Sequence, residues 1–532
     1  MKLHTLLPIF LLLAFSTIKA QEPTDTIYNR IIEIGRNDNQ TMDHLDILSN
    51  RFGGRLIGSD AYENAAIWAA SKFDEWGMEV VMDEVGELPV GFNRGPWFGK
   101  LIAENGMNLH FATPSYTSGT KGVQRGHVLI EPTTQAAFDR MKGALKGAWV
   151  LIGDENSGWP IDYSARGDSI RDSIKRENLR ISEENRRIRK ENRENKDKKR
   201  YEKQALLEPI VEPALFYRDM VDAGILGIIQ SAKVPIRVLY DRKNLHHMHF
   251  DSLPEIPDIK LNEHQYDLIY QMASERRYFQ LEFDIRNHFK MGPVKYHNVI
   301  GVIPGTEFPD EYVIMGGHLD AYDVATGGVD DGSGVTPTME AARLIMKAGG
   351  KPKRTILVIL WAGEEFGLYG SRSWVERYRN DLENVSNMIN RDGGPTVPVA
   401  LSVSEKMKKD FEPIVEALNK INKEFPVELK IRKPKERPSK PWGTDSGPFA
   451  VAGVPTIGFE LGDVKGYNFN YREIWHTERD LYNKSIREYQ EQAAIATAVL
   501  CYGIADLDHL LDREGYYIKP DMDIKKDKRA KK

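Results

Sequence analysis

Residues 311–365, EYVIMGGHLDAYDVATGGVDDGSGVTPTMEAARLIMKAGGKPKRTILVILWAGEE, decide the fold. Tyr312–Met315 and Ile356–Trp361 are short apolar runs of strand length, each running into glycine. Between them, about Gly334 to Lys347 carries apolar residues at helical spacing. A strand, a helix and a second strand predict a parallel pair with a helix packed across it. The pattern continues on both sides. Val299–Ile303 reads as a strand before it. After it come a helix over about Gly370–Tyr378, a strand at Ser386–Ile389 and an amphipathic helix near Met407–Ile421. A strand near Thr456–Phe459 and a helix over about Ser485–Leu507 complete the series. The expectation is an α/β fold: a mostly parallel central sheet covered by helices, spanning residues 286–510.

Length and composition bound the rest. A chain of 532 residues exceeds what one hydrophobic core usually organises, and 41% hydrophobic with 28% charged residues is ordinary for a globular protein. The formal net charge of -5 points neither to nucleic acid nor to an anionic membrane surface. Residues 1–20 read as a secretory signal peptide: a short polar start, an apolar stretch from Leu6 to Phe15, and small or polar residues up to Ala20. That stretch is too short to span a bilayer and no second long apolar run follows, so no membrane span is expected, and the destination is secreted or periplasmic. Cys501 is the one cysteine. It sits in an Ala-rich helical pattern as a small core residue, and no intramolecular disulfide is possible.

Upstream of the sheet pattern, residues 21–105 carry two helical stretches between Thr41 and Glu79, a strand at Val80–Val85, and a turn-rich segment from Gly86 to Gly99. Residues 106–285 change to short apolar runs separated by turns (His127–Ile130, Ala148–Ile152, Ile225–Gln230), which predicts an inserted β-rich domain. Within it, 164–204 is dominated by Arg, Lys, Glu and Asn; Ile170, Ile174, Ile181 and Ile188 form a thin stripe that fits a protruding helix or helical hairpin. Residues 511–532 read as a tail, basic and disordered from Lys525.

The chemistry concentrates at the predicted strand ends. Gly316-Gly317-His318-Leu319-Asp320, Asp330-Asp331-Gly332-Ser333-Gly334, Gly363-Glu364-Glu365 and Asn390-Arg391-Asp392-Gly393-Gly394 each follow or flank a strand, and Trp475-His476-Thr477 follows the last one by a loop. In open α/β sheets ligands bind at the carboxyl ends of the strands, so these groups are expected to converge. Alone, each is weak: a single His-x-Asp is usually a surface turn, and Asp-Asp-Gly-Ser-Gly is often an Asx turn. Together they would crowd carboxylates in one crevice, which needs neutralisation by protons or cations. Two imidazoles with three carboxylates suit zinc, with manganese or cobalt as alternatives.

In that order, these elements resemble the zinc aminopeptidase family that also contains plasma glutamate carboxypeptidase and carboxypeptidase Q. Gly54-Arg55-Leu56-Ile57-Gly58-Ser59 before an Ala-rich helix is similar to that family's opening, and the β-rich middle stands where its members carry a protease-associated domain. The resemblance implies a secreted exopeptidase with two zinc ions acting on peptide substrates. It implies one ion held by His318 and Asp392, the other by Glu365 and His476, with Asp330 bridging. Glu364 would be the general base for a metal-bound water, and Asp320 would orient His318. An aminopeptidase leads; a dipeptidase or carboxypeptidase is the alternative, then a non-catalytic binding protein or a glutaminyl cyclase. Three positions depart from the family. Arg391 stands where an apolar residue is common, either paired with a carboxylate or pointing to solvent. Trp475 replaces Tyr or Phe. Ser446 replaces a histidine in a loop whose Asp445 either lines the substrate side or caps a helix.

Overall fold

The computed structural model describes residues 24–103, 105–198 and 201–518. The expected leader (1–20) and the basic stretch 525–532 lie outside the described residues. Among those described, no helix is long and apolar enough to cross a membrane.

The central sheet has five strands: β1 (Glu79–Asn93), β2 (His288–Ile303), β3 (Phe308–His318), β4 (Arg354–Trp361) and β5 (Val385–Asn390), in the spatial order β1-β2-β4-β3-β5. β1 and β4 both pair antiparallel with β2, whereas β3 pairs parallel with β4 and β5. Four strands therefore run in one sense and β2 alone is reversed, an α/β sheet of the expected kind. Val313 to His318 of β3 are buried without a break, as a strand covered on both faces requires. The helix Gly332–Lys347, buried over nearly all its length, and the Ala-rich helix Arg487–Ala505 cover one face, with Cys501 fully buried among them.

β1 continues past the expected end at Val85 through Pro89 and Gly91, which read as turn residues in the sequence. The ladder skips between Leu88 and Val90, so Pro89, which has no N–H to donate, stands where the register breaks. The second sheet therefore begins earlier than residue 106. Its edge strand is Trp97–Ile102, and it runs Trp97–Ile102, Gln280–Ile285, Gln124–Ile130, Ala148–Glu155, Gly227–Ala232, Asp258–Asn262, Phe111–Ala112. Nor does the tail start at 511. Leu511 and Tyr516 are buried, and Tyr517–Ile518 pairs with Lys435–Glu436.

The charged insertion is a single helix, Ala165–Glu194, with an extended return instead of a second helix. Asn178, Asn185 and Asn192 recur every seventh residue, and each carboxamide accepts from and donates to one backbone unit of the return, at Ile210, Leu207 and Gln204 respectively (2.8–3.0 Å). Seven helical residues rise ~10.5 Å and three extended residues about 9–10 Å, so the two periods match. Asn185→Ala removes the middle pair; protection of the Leu207 amide against hydrogen exchange is expected to fall by about tenfold with peptide hydrolysis unchanged.

Candidate active site

β3, β4 and β5 end side by side at a cavity of about 650 Å³ lined by Asp330, Glu364, Glu365, Asp392 and His476, with His318 and Asp320 buried behind them. His318 is the last residue of β3, Glu364 and Glu365 follow β4 by a short turn, and Asp392 follows β5. Asp330 lies just ahead of the helix Gly332–Lys347, and His476 sits in a loop with φ of 59°. The glycines of these segments make room. A Cβ on Gly334 would lie 1.9 Å from the Arg391 carbonyl oxygen, and one on Gly317 2.6 Å from Asp331 Oδ2.

Asp330 stands between the two imidazoles. Its Oδ1 is 3.2 Å from His318 Nε2 and its Oδ2 is 3.4 Å from His476 Nε2. Glu365 Oε2 lies 2.9 Å from His476 Nε2. Ligand atoms of His318, Asp330 and Glu365 fall within 4.8 Å of one another, as do those of His318, Asp331 and Asp392. Asp331 belongs to the second group by distance, but its Oδ2 already accepts the His318 backbone N–H (3.1 Å).

Asp320 meets His318 Nδ1 in two ways: its backbone carbonyl lies 2.8 Å away and its carboxylate Oδ1 3.6 Å away, which leaves Nε2 free to face Asp330. The carboxylate accepts the backbone N–H groups of Glu364 (3.1 Å) and Glu365 (3.2 Å). One residue thus fixes both the imidazole tautomer and the Glu-Glu turn. Asp320→Asn presents a donor to one of those N–H groups; kcat/KM or metal retention, read by metal analysis after dialysis, is expected to fall about tenfold to a hundredfold.

The electrostatics require positive charge. Burial pushes the Glu364 carboxyl up to about 10, with Glu365 adding to the rise and His318 opposing it. Burial likewise raises Glu365 and Asp392, each also raised by Asp330. Burial works against the charged form of His476, lowering it to about 4, so its imidazole is neutral and able to ligate. Asp330 Oδ2 and Glu365 Oε1 are buried without a hydrogen-bond partner. At His318 burial also opposes the charged form, but Asp320 and Asp330 outweigh it and raise the imidazole pKa. Buried acceptors facing two imidazoles are a donor set that fits a pair of divalent cations.

Residues 298–500 match the profile of Peptidase family M28. This segment is an M28 peptidase domain. All seven predicted site residues lie inside the M28 domain. Carboxypeptidase Q of Rattus norvegicus is 28% identical over 305 residues, 56% of this chain and 60% of the rat protein. The chain therefore spans less than two thirds of the length of that relative. A probable glutamate carboxypeptidase of Arabidopsis thaliana is 48% identical over 93 residues, 17% of this chain and 13% of the plant protein. The crystal structure of a peptidase M28 precursor from Shewanella amazonensis shares the fold, with a TM-score of 0.55 and 19% identity over 92% of this chain and 98% of that one.

Around the M28 centre the structure adds groups the sequence left open. Arg391 is buried and makes no ion pair among the described residues: its guanidinium donates to the carbonyls of Ser333 (3.0 Å) and Thr396 (3.2 Å), tying the Asp392 turn to the helix beside it. Asp445 stands at the N-cap position of Ser446–Ala452 but makes no cap bond; it accepts the Ser371 hydroxyl instead (2.5 Å). Ser446 accepts the indole N–H of Trp442 (2.9 Å). Tyr471, four residues before Trp475, lines the cavity; burial raises its hydroxyl pKa, and Asp330 adds to the rise. No spacing rule marks it; the only signal is the run of aromatic residues ahead of His476.

Proposed function

We propose that this chain is a metallo-exopeptidase that binds two divalent cations, zinc first among them, and removes terminal residues from short peptides. The observation that carries the reading is Asp330 placed between His318 and His476, with one carboxylate oxygen toward each. His318 and Asp392 would hold one cation and Glu365 and His476 the other, with Asp330 shared. Bound there, the cations would polarise a scissile carbonyl and lower the pKa of water. Glu364 lines the same cavity without an ion-pair partner among the described residues, and its backbone is fixed by Asp320. In this reading Glu364 would take a proton from the attacking water and pass it to the leaving amine.

An aminopeptidase polarity follows if a substrate amine settles among the carboxylates of the cavity floor. A dipeptidase or carboxypeptidase polarity is favoured by one further observation, the arginines Arg237, Arg242 and Arg372 in the cavity wall. The test is chelation: dialysis against a strong chelator is expected to abolish hydrolysis of amino-acid anilides and free dipeptides, and zinc to restore it. Hydrolysis indifferent to the chelator would contradict the reading.

A further inference from the structure

The cavity wall separates into two charge zones. Every carboxylate that lines it (Asp330, Glu364, Glu365 and Asp392) belongs to the proposed ligand and base set. The other fixed charges are Arg237, Arg242 and Arg372, and among the described residues none of the three makes an ion pair. Cationic side chains without acidic partners, left in the wall of a substrate cavity, are available to an anion carried by the substrate.

Arg237 is the best held of the three. It comes from the segment after the strand Gly227–Ala232, and its guanidinium lies 4.4 Å from the centre of the Trp475 ring, with Nη2 3.5 Å from His476 Nδ1. The two segments are joined at the backbone there: Arg237 bridges Thr477, and Glu478 N–H donates to the Ile236 carbonyl (3.0 Å). Glu478 also accepts Ile236 N–H (3.1 Å) and pairs with His110 (2.6 Å). The inserted segment is therefore fastened to the loop that carries His476, and it holds a guanidinium beside that ring. Trp475, the departure from Tyr or Phe, supplies a broader face for cation–π stacking. Arg237 Nε is buried with no hydrogen-bond partner.

Resting on the exopeptidase reading, we propose that Arg237, supported by Arg242 and Arg372, forms a subsite for a substrate carboxylate, so that the inserted sheet selects short peptides whose free carboxylate lies within reach of the catalytic centre. The carboxylate is either the C-terminus of the peptide or an acidic side chain near the scissile bond.

Hydrolysis of Ala-Leu against Ala-Leu amide reads the first source, and Ala-Asp amide against Ala-Asn amide the second, in wild type, Arg237→Gln and Arg237→Lys. A carboxylate preference of about tenfold to a hundredfold in kcat/KM is expected in wild type, carried by KM. Arg237→Gln is expected to collapse it while the amide rates stay within about twofold, and Arg237→Lys to keep part of it. The pair that shows the preference names the source. Acid and amide cleaved equally on both arms, or a preference undiminished in Arg237→Gln, would overturn the subsite. Calorimetric binding of the same four peptides to Glu364→Gln and to Glu364→Gln/Arg237→Gln separates this from failure of the peptidase reading. With no turnover in any protein, tighter acid binding that depends on Arg237 still supports the subsite, and equal binding of acid and amide overturns it. Exposed Arg242→Gln and Arg372→Gln repeat the comparison should Arg237→Gln fold poorly.

Discussion

Glu364→Gln is expected to lower kcat by about a hundredfold to ten-thousandfold, with metal content and thermal unfolding close to wild type. The amide preserves the shape of the side chain, and the backbone N–H at 364 still reaches Asp320 (3.1 Å). What disappears is the ability to accept a proton and return it. The effect belongs in kcat more than in KM, because proton transfer is made in the transition state and not in the bound substrate. Glu364 differs in this from its neighbour Glu365, whose carboxylate lies against His476 (2.9 Å). Glu365→Gln is expected to lose metal as well as rate. Stopped assays on a single dipeptide with metal analysis of the same preparation distinguish the two; equal kcat for wild type and Glu364→Gln would remove Glu364 from the chemistry.

Arg55→Met carries the second large effect, this one on stability. Arg55 is fully buried, and its guanidinium donates to four carbonyls: Leu319 (2.6 Å), Gly53 (3.1 Å), Thr326 (3.1 Å) and Gly327 (3.3 Å). Three of these, Leu319, Thr326 and Gly327, belong to the loop between His318 and Asp330, so one side chain sets the spacing of two proposed ligands. Asp480, Asp320, Asp331 and Asp330 surround the same cation; burial lowers its pKa and those carboxylates oppose the fall. Removing it leaves buried carbonyls unpaired and carboxylates without a counter-charge, a loss of about 3–5 kcal/mol in the denaturant unfolding free energy. Arg55→Lys retains the charge but not the planar fork, and is expected to fall between. A chain of wild-type stability in Arg55→Met would show that the loop is held by other contacts.

Arg55 also marks where reading the sequence stops. The segment Gly54 to Ser59 is recognisable as an opening motif, yet three of the four carbonyls that Arg55 reaches, those of Leu319, Thr326 and Gly327, lie more than two hundred residues away, which no side-chain pattern announces. The three strand ends are legible because each apolar run gives way within a few residues to glycine and a His or carboxylate, and parallel strands bring such ends together. The shared position of Asp330 is implied by resemblance alone in the sequence; the structure sets one of its carboxylate oxygens toward each of His318 and His476. Asn178, Asn185 and Asn192 were hidden inside a composition that reads as a solvated charged surface, because their partners are the backbone of an extended return. β1 ran longer than its pattern because a proline at a register break looks like a turn until its partner strand is known. Arg237 lies outside the M28 domain in sequence and is brought to the site by the backbone bridge to Thr477, the Ile236–Glu478 hydrogen bonds and the Trp475 ring.

The central claim is a pair of cations shared by Asp330. Zinc-edge anomalous difference maps from crystals of the metal-loaded protein test it most directly. Two peaks are expected, one against His318 and Asp392 and the other against Glu365 and His476, with Asp330 between them. A single peak in a fully loaded crystal, or a pair that does not share Asp330, would contradict the account.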